Sequence, residues 1–286
     1  MKPLPKPTDA NGLPLVPGDV FDLCLTKMTD TDFHDKLVSI RAQIVRGAVD
    51  YDARAETCDL HQFATSASVG DVTKAEMIKV YNQRFAAAAG PGREVYYRIR
   101  KSSPNDRCPL CEIGTANTLD HYLPKAQYPL FALTPHNLYP ACTWCQGARS
   151  SGAITSKETQ AFHPYFDNFD DAIWLTAEVE QSAPAVFKFG VSKPASWNDL
   201  KFERAKWHFK DFDLQELLAT NSANQLTGIR NRLQNLLDDC GAAEVRAHLS
   251  EEEASWRASN MNSWEAAFYE AAASSDWFCN GGFAGV

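Results

Sequence analysis

The sequence predicts an α+β fold in which a mostly helical chain surrounds a small, metal-organised centre. Three observations carry this prediction. Apolar residues recur three or four apart in the first 92 residues and again in the last third. Two Cys-x-x-Cys pairs, Cys108 with Cys111 and Cys142 with Cys145, bracket a stretch short on helical periodicity. β-favouring runs follow between 172 and 189.

At 286 residues the chain can bury a full core and holds one or two domains by size. Its 44% apolar and 22% charged residues are ordinary for a globular protein. The longest apolar stretches, such as 85–90 and 130–133, fall far below the roughly 20 residues needed to cross a bilayer, so no membrane span is expected. The opening MKPLPKPTDANGLPLVPG lacks the apolar core of a secretory signal and reads as a Pro-rich extended arm, from which a cytoplasmic location is expected. A net charge of −8 argues against coating nucleic acid by bulk electrostatics but leaves room for a local basic groove.

Taken in order, Phe33, Leu37, Ile40, Ile44 and Ala48 mark one face of a first helix. A Thr73/Glu76 capping box starts a second, with Ile78, Tyr81 and Phe85 inward and a stop at Gly90-Pro91-Gly92. Residues 1–92 are thus an N-terminal helical region. A central segment, 93–170, opens with Arg93, Arg98, Arg100, Lys101 and Arg107 interleaved with Tyr96 and Tyr97, and leads into the cysteines. The remainder, 171–286, carries the runs Ile173-Trp174-Leu175 and Val186-Phe187-Lys188-Phe189 as one or two strands. It then returns to helix: Leu226, Ile229, Leu233, Leu236 and Leu237 up to Gly241, a start at a Ser250/Glu253 capping box, and a last helix with Trp264, Phe268 and Ala271 on one face.

Cys108-Pro-Leu-Cys111 and Cys142-Thr-Trp-Cys145 stand 30 residues apart. Two thiolates at this spacing turn their sulfurs to one point, and two such pairs complete the tetrahedron that Zn²⁺ accepts. A redox role would need strand-then-helix contexts that neither pair shows. Four thiolates leave no open position for water, so this zinc is expected to be structural. Cys24, Cys58, Cys240 and Cys279 are scattered and read as buried thiols.

Within the loop closed by the pairs lie Thr118-Leu-Asp120-His121-Tyr-Leu-Pro-Lys125 and Pro135-His-Asn137-Leu-Tyr-Pro140. A carboxylate beside an imidazole suits hydrolysis, the acid holding a divalent ion while the imidazole takes a proton from water. On a strand the two point to opposite faces, which favours divided roles over joint ligation of one ion.

The order Cys-x-x-Cys, Asp-His-x-x-Pro-Lys, Asn-Leu-x-Pro-x-Cys-x-x-Cys resembles the HNH (His-Me finger) endonucleases over Cys108 to about Arg149. Less specific likeness to larger bacterial HNH proteins extends to His163-Pro-Tyr-Phe-Asp167 and Ser275 to Phe283. The resemblance implies a ββα-metal finger holding one catalytic Mg²⁺ or Mn²⁺, with Asp120 as metal-binding acid, His121 as general base and Asn137 tying the hairpin loop together. The last family position, commonly His or Asn and a metal ligand, is here Gln146, which keeps the amide oxygen on an arm longer by one methylene. Arg149 falls near the family's basic, phosphate-touching residue. It also implies hydrolysis of DNA to 5′-phosphate and 3′-hydroxyl ends, with RNA as an alternative substrate, and a role in bacterial anti-phage defence, sometimes beside an ATPase subunit.

Other readings stand beside these. His163 is either an additional metal ligand or a packing residue beside Tyr165 and Phe166. Arg98, Arg100 and Lys101 either track a phosphate backbone or form a solvated face. Trp144 reads as packing for the knuckle. The Gln146 departure keeps open a protein that retains the zinc knuckle, lacks catalysis and serves as a DNA-binding or partner-docking subunit.

Overall fold

The structure, a computed structural model, describes residues 2–149 and 152–285. It divides into two compact units, Lys2–Asp167 and Asn168–Val286.

In the first unit the N-terminal arm is tied down by Leu4 N–H on the Pro164 carbonyl (2.7 Å) and turns at Asp9, whose side chain accepts from the Asn11 and Leu13 amides. Helix α1 (Pro17–Leu25) follows, with proline at its start, where a missing N–H costs nothing. Helix α2 (Thr31–Glu56) is capped by Asp30, which accepts from Phe33 N–H, and buries Leu37, Ile40, Ile44, Ala48 and Tyr51. It outruns the predicted face because no proline intervenes and the mid-helix Gly47 is tolerated where it is buried. The short strands β1 (Ser68–Val69) and β2 (Val72–Thr73) form a tight hairpin. Thr73 and Glu76 make the predicted capping box of α3 (Lys74–Val80).

The α-helical ladder ends sooner than expected. From Tyr81 to Phe85 the backbone widens into one π turn, with Tyr81 and Phe85 buried, while Ile78 is only half-buried. Such single wide turns commonly accompany functional sites. Helix α4 (Arg93–Arg100) carries the basic run and buries Tyr96 and Ile99. Strands β3 (Thr118–His121) and β4 (Leu138–Ala141) pair antiparallel, with Asp120 opposite Tyr139 and His121 opposite Leu138, and helix α5 (Thr143–Ala148) follows directly. One core runs through Phe21, Leu37, Ile44, Phe85, Ile99, Leu119 and Leu138. Packing therefore shows no boundary at 92/93: the hairpin's apolar residues are covered by the preceding helices.

The second unit pairs β5 (Leu175–Glu180) with β6 (Val186–Val191), then continues through α6 (Asp199–Asp211), α7 (Leu214–Cys240), α8 (Ala242–Ser259) and α9 (Trp264–Ser274). Ile173 and Trp174 precede the strand, and α6 was not anticipated. Gly241 ends α7 at φ 84, as the sequence indicated. The expected helix start at Ser250 is corrected: α8 runs straight through it, and Glu253 pairs with Arg257 one turn on. A Ser-x-x-Glu spacing caps a helix only where the preceding backbone is non-helical. Cys24 and Cys279 are buried, but Cys58 is half-buried and Cys240 exposed, correcting the reading of all four as interior thiols. The chain is mixed helix with small antiparallel hairpins. Among the described residues no helix is long and apolar enough to cross a membrane.

Candidate functional site

Cys108, Cys111, Cys142 and Cys145 are all buried, and their sulfurs lie within 4.8 Å of one another. Zn–S bonds of about 2.3 Å at tetrahedral angles put sulfurs about 3.8 Å apart, and Cys111 Sγ stands 3.8 Å from Cys142 Sγ. None is in a disulfide. The local chain builds this cradle. Glu112, at φ 59, turns the first knuckle so that its N–H reaches the Cys108 carbonyl (2.8 Å). The Gly114 and Cys145 amides point at Cys111 Sγ and Cys142 Sγ, each at 3.4 Å. A Cβ on Gly114 would lie 2.7 Å from Cys142 Sγ, so only glycine fits there. Hydrogen bonding shared with Cys108 and the other thiols holds Cys142 far below the ordinary thiol range, while the same sharing pushes Cys145 far above it. Four crowded sulfurs cannot all ionise unaided, and a divalent cation removes that conflict. The donor set fits a zinc-type ion. Among the described residues these four are the sole cluster of three or more Cys, His, Asp or Glu able to hold a metal.

The hairpin built on this cluster carries the other candidate residues. Along β3, Leu119 and His121 are buried and Thr118 and Asp120 half-exposed, the alternation of a two-faced strand. His121, which the resemblance makes a base for water, is only 4% exposed, because it shares the Leu119 face and lies edge-on to the Tyr81 ring at 4.6 Å. Its Nε2 lies 3.1 Å from the Ala132 carbonyl. A carbonyl only accepts, so Nε2 carries the proton. Burial, with the nearby Lys125 charge adding to it, pushes the imidazole down to about 3. The ring is therefore neutral, with Nδ1 an unprotonated acceptor lacking a partner among the described residues.

This has a stability consequence. The folded-state pKa lies below the ordinary value, so the unfolded chain binds the proton first as pH falls. The stabilisation is complete above about pH 6.5 and is lost progressively toward pH 3, on the order of a few kcal/mol at about 1.4 kcal/mol per unit. Thermal melts from pH 7 to pH 4 should fall more steeply for the wild type than for His121→Gln. Parallel curves would contradict the burial of a neutral ring.

Asn137 is fully buried and clamps the loop between the strands. Its Oδ1 accepts from Leu123 N–H (2.7 Å), and its Nδ2 donates to the Leu123 and Phe131 carbonyls (both 3.0 Å). Ala132, whose carbonyl holds His121, directly follows Phe131. Asp120 accepts from its neighbour's amide at 2.8 Å and from Tyr139 Oη at 3.4 Å. Gln146 is exposed on α5. Its Nε2 makes a long 3.5 Å contact with the Leu119 carbonyl, while its Oε1 has no partner among the described residues.

Arg149, expected on a phosphate, donates to the His121 (3.1 Å) and Tyr122 (2.6 Å) carbonyls and to Tyr139 Oη, stapling the helix exit to the end of β3. His163 is buried with both ring nitrogens engaged, Nε2 by Tyr51 Oη (2.9 Å) and Nδ1 by the Tyr165 amide (3.2 Å). It stacks on Tyr122 at 4.2 Å and meets Phe166 at 4.7 Å. That is the packing alternative; acting as a ligand would break one of these bonds. Arg98 pairs with Glu94 (2.9 Å), Lys101 with Asp106 (2.6 Å), and Arg100 donates to the Ala116 carbonyl (3.3 Å). Trp144 is half-buried. Tyr81, Tyr139 and Lys125 also touch these residues, a role that the sequence did not assign to them. The signals available for them were the aromatic at the end of α3, the residue opposite Asp120 and the lysine of the Asp-His-x-x-Pro-Lys run.

Fold and site together define a small antiparallel hairpin anchored on a buried four-cysteine, zinc-type metal centre. Over 150 residues, 51% of its length, the chain is 35% identical to protein ea31 of Escherichia phage lambda. The match spans 50% of that protein, so the chain covers about half the length of this curated relative. No family model matches the chain, and no solved structure matches it.

Proposed function

We propose that the chain is a metal-dependent HNH-type nuclease that hydrolyses phosphodiester bonds of DNA. The observation that carries this reading is the neutral His121 ring at the end of β3, fixed through Nε2 on the Ala132 carbonyl with Nδ1 left as acceptor. The succession of strand, clamped loop, strand and short helix, closed by the cysteine cluster, supports it as a ββα-metal finger.

Asp120 and Gln146 would hold a catalytic Mg²⁺ or Mn²⁺. One carboxylate, a neutral amide oxygen and a remainder of waters and phosphate oxygens suit a hard cation that keeps much of its hydration. When bound, such an ion supplies positive charge to the phosphate and the departing oxygen. His121 Nδ1 accepts a proton from the attacking water as the new P–O bond forms. The P–O3′ bond breaks, leaving a 5′-phosphate and, after proton uptake from solvent, a 3′-hydroxyl. Asn137 and Ala132 keep the base in the required tautomer.

A second reading is favoured by one observation: among the described residues Asp120 belongs to no group of three or more Cys, His, Asp or Glu able to hold a metal. In that reading the protein is a zinc-stabilised DNA-binding or docking subunit without catalysis. A role against phage beside an ATPase subunit rests on the resemblance alone, and RNA remains the alternative substrate. Incubating purified protein with supercoiled plasmid and Mg²⁺ or Mn²⁺ separates the two readings. Nicking supports the nuclease; inertness with every divalent ion favours the binding module.

A further inference from the structure

We propose that Lys125 is the anion-binding residue of this site, its ammonium held over the Tyr81 ring beside Asp120 and His121 to take a backbone phosphate of nucleic acid. The nucleic-acid identity of the anion rests on the nuclease reading; the anion site itself does not.

Arg98 and Lys101 are neutralised by Glu94 and Asp106, and Arg100 and Arg149 are held by backbone carbonyls. Lys125 differs. Among the described residues it makes no ion pair or hydrogen bond, and its contact is the Tyr81 ring, 4.8 Å from Nζ. It is nonetheless half-buried. Loss of hydration pushes its pKa down, opposed by the charge of Asp120. A ring face repays only part of that lost hydration, so the ammonium lacks the hydrogen-bonded anion that a partly dehydrated charge calls for.

Its mount is rigid. Leu123 is gripped through both its N–H and its carbonyl by Asn137, and the Pro124 carbonyl accepts from the Gln127 and Tyr128 amides at 2.8 and 2.9 Å. Lys125 is held between these two anchors. The Tyr81 ring carries His121 against it at 4.6 Å and Lys125 at 4.8 Å, so one aromatic side chain seats both the candidate base and this ammonium. Positioning of this kind is what recognition of a phosphate beside a reacting atom requires.

The test uses the full chain without added divalent ion, so that binding is read apart from cleavage. Wild type, Lys125→Met and Lys125→Arg are titrated with a labelled short DNA duplex across a range of salt, and separately with inorganic phosphate while the His121 and Tyr81 ring resonances are followed by NMR. Methionine keeps an apolar arm on Tyr81 and removes the charge. It should weaken duplex binding about fivefold or more and lower the salt slope by about one, whereas arginine should restore both. Phosphate should shift the ring resonances in wild type and not in the methionine variant. Unchanged affinity and slope in a folded Lys125→Met protein, or a wild type that binds neither probe, would overturn the proposal. Phosphate binding without duplex binding would overturn the nucleic-acid assignment and point to a small phosphate-bearing ligand. Lys125-dependent duplex binding by a protein that never nicks plasmid would retain the proposal and remove the nuclease reading; intact nicking with an indifferent Lys125→Met would do the reverse.

Discussion

Purified protein is expected to carry close to one zinc per chain, and Cys108→Ser/Cys142→Ser to lose it together with the order of the hairpin. The four sulfurs are buried and lie within 4.8 Å of one another, with Cys111 and Cys142 3.8 Å apart, so serine at two corners leaves two thiolates and a pair of poorly matched hydroxyls. Structural zinc in small domains contributes about 10–16 kcal/mol of apparent binding energy to folding. The first unit also has the core around Leu37, Ile44 and Phe85, so the helices should survive in part while β3, β4 and α5 loosen. A fall in melting temperature of about 10 °C or more is expected, from a loss of several kcal/mol. Elemental analysis finding no zinc, or a double variant that melts like the wild type, would remove the metal centre from the account.

The second large effect concerns catalysis. His121→Ala should reduce plasmid nicking by about 10²- to 10⁴-fold, the usual contribution of a positioned general base. Zinc content should stay at one per chain, since the ring touches Tyr81 and Ala132 and not the cysteines. Some stability will go with it, about 1–3 kcal/mol, because the Ala132 carbonyl loses its donor in a buried setting, so rates must be compared at a temperature where both proteins are folded. Gln146→Ala tests the ion separately. If the amide oxygen is a ligand, cleavage is lost, and Gln146→His moves the metal preference from Mg²⁺ toward Mn²⁺ or later transition metals. Undiminished nicking by His121→Ala would mean that the base lies elsewhere. Equal cleavage by Gln146→Ala would remove that residue from the ion's shell.

Much of the fold was legible because it rests on local rules. The Thr73/Glu76 box, the Gly241 stop and the inward stripe of α2 depend on residues within a turn of one another, and each appears as read. The Ser250/Glu253 box misled because a cap depends on what precedes it, and Gly241 had already started α8, which continues past Ser250. Helix α4 was hidden inside what the sequence offers as a basic run, since its charges are visible and its two anchors, Tyr96 and Ile99, are few.

The four-cysteine cluster was legible from residue spacing alone, because a two-residue cysteine interval is a property of a short covalent stretch and needs no distant partner. The hairpin that carries Asp120 and His121 and the clamping role of Asn137 were expected from the resemblance to the HNH pattern rather than from spacing. Only the tertiary structure decided how those groups are placed. His121 is buried because the π turn of a helix 40 residues earlier brings Tyr81 against it. Arg149 faces carbonyls because the exit of α5 meets the end of β3. Among the described residues Lys125 makes no ion pair, because its arm is laid over the ring of Tyr81, which a helix far earlier in the chain supplies. Exposure, protonation and pairing are set by which surfaces meet on folding, and that information lies in contacts between residues far apart in the chain.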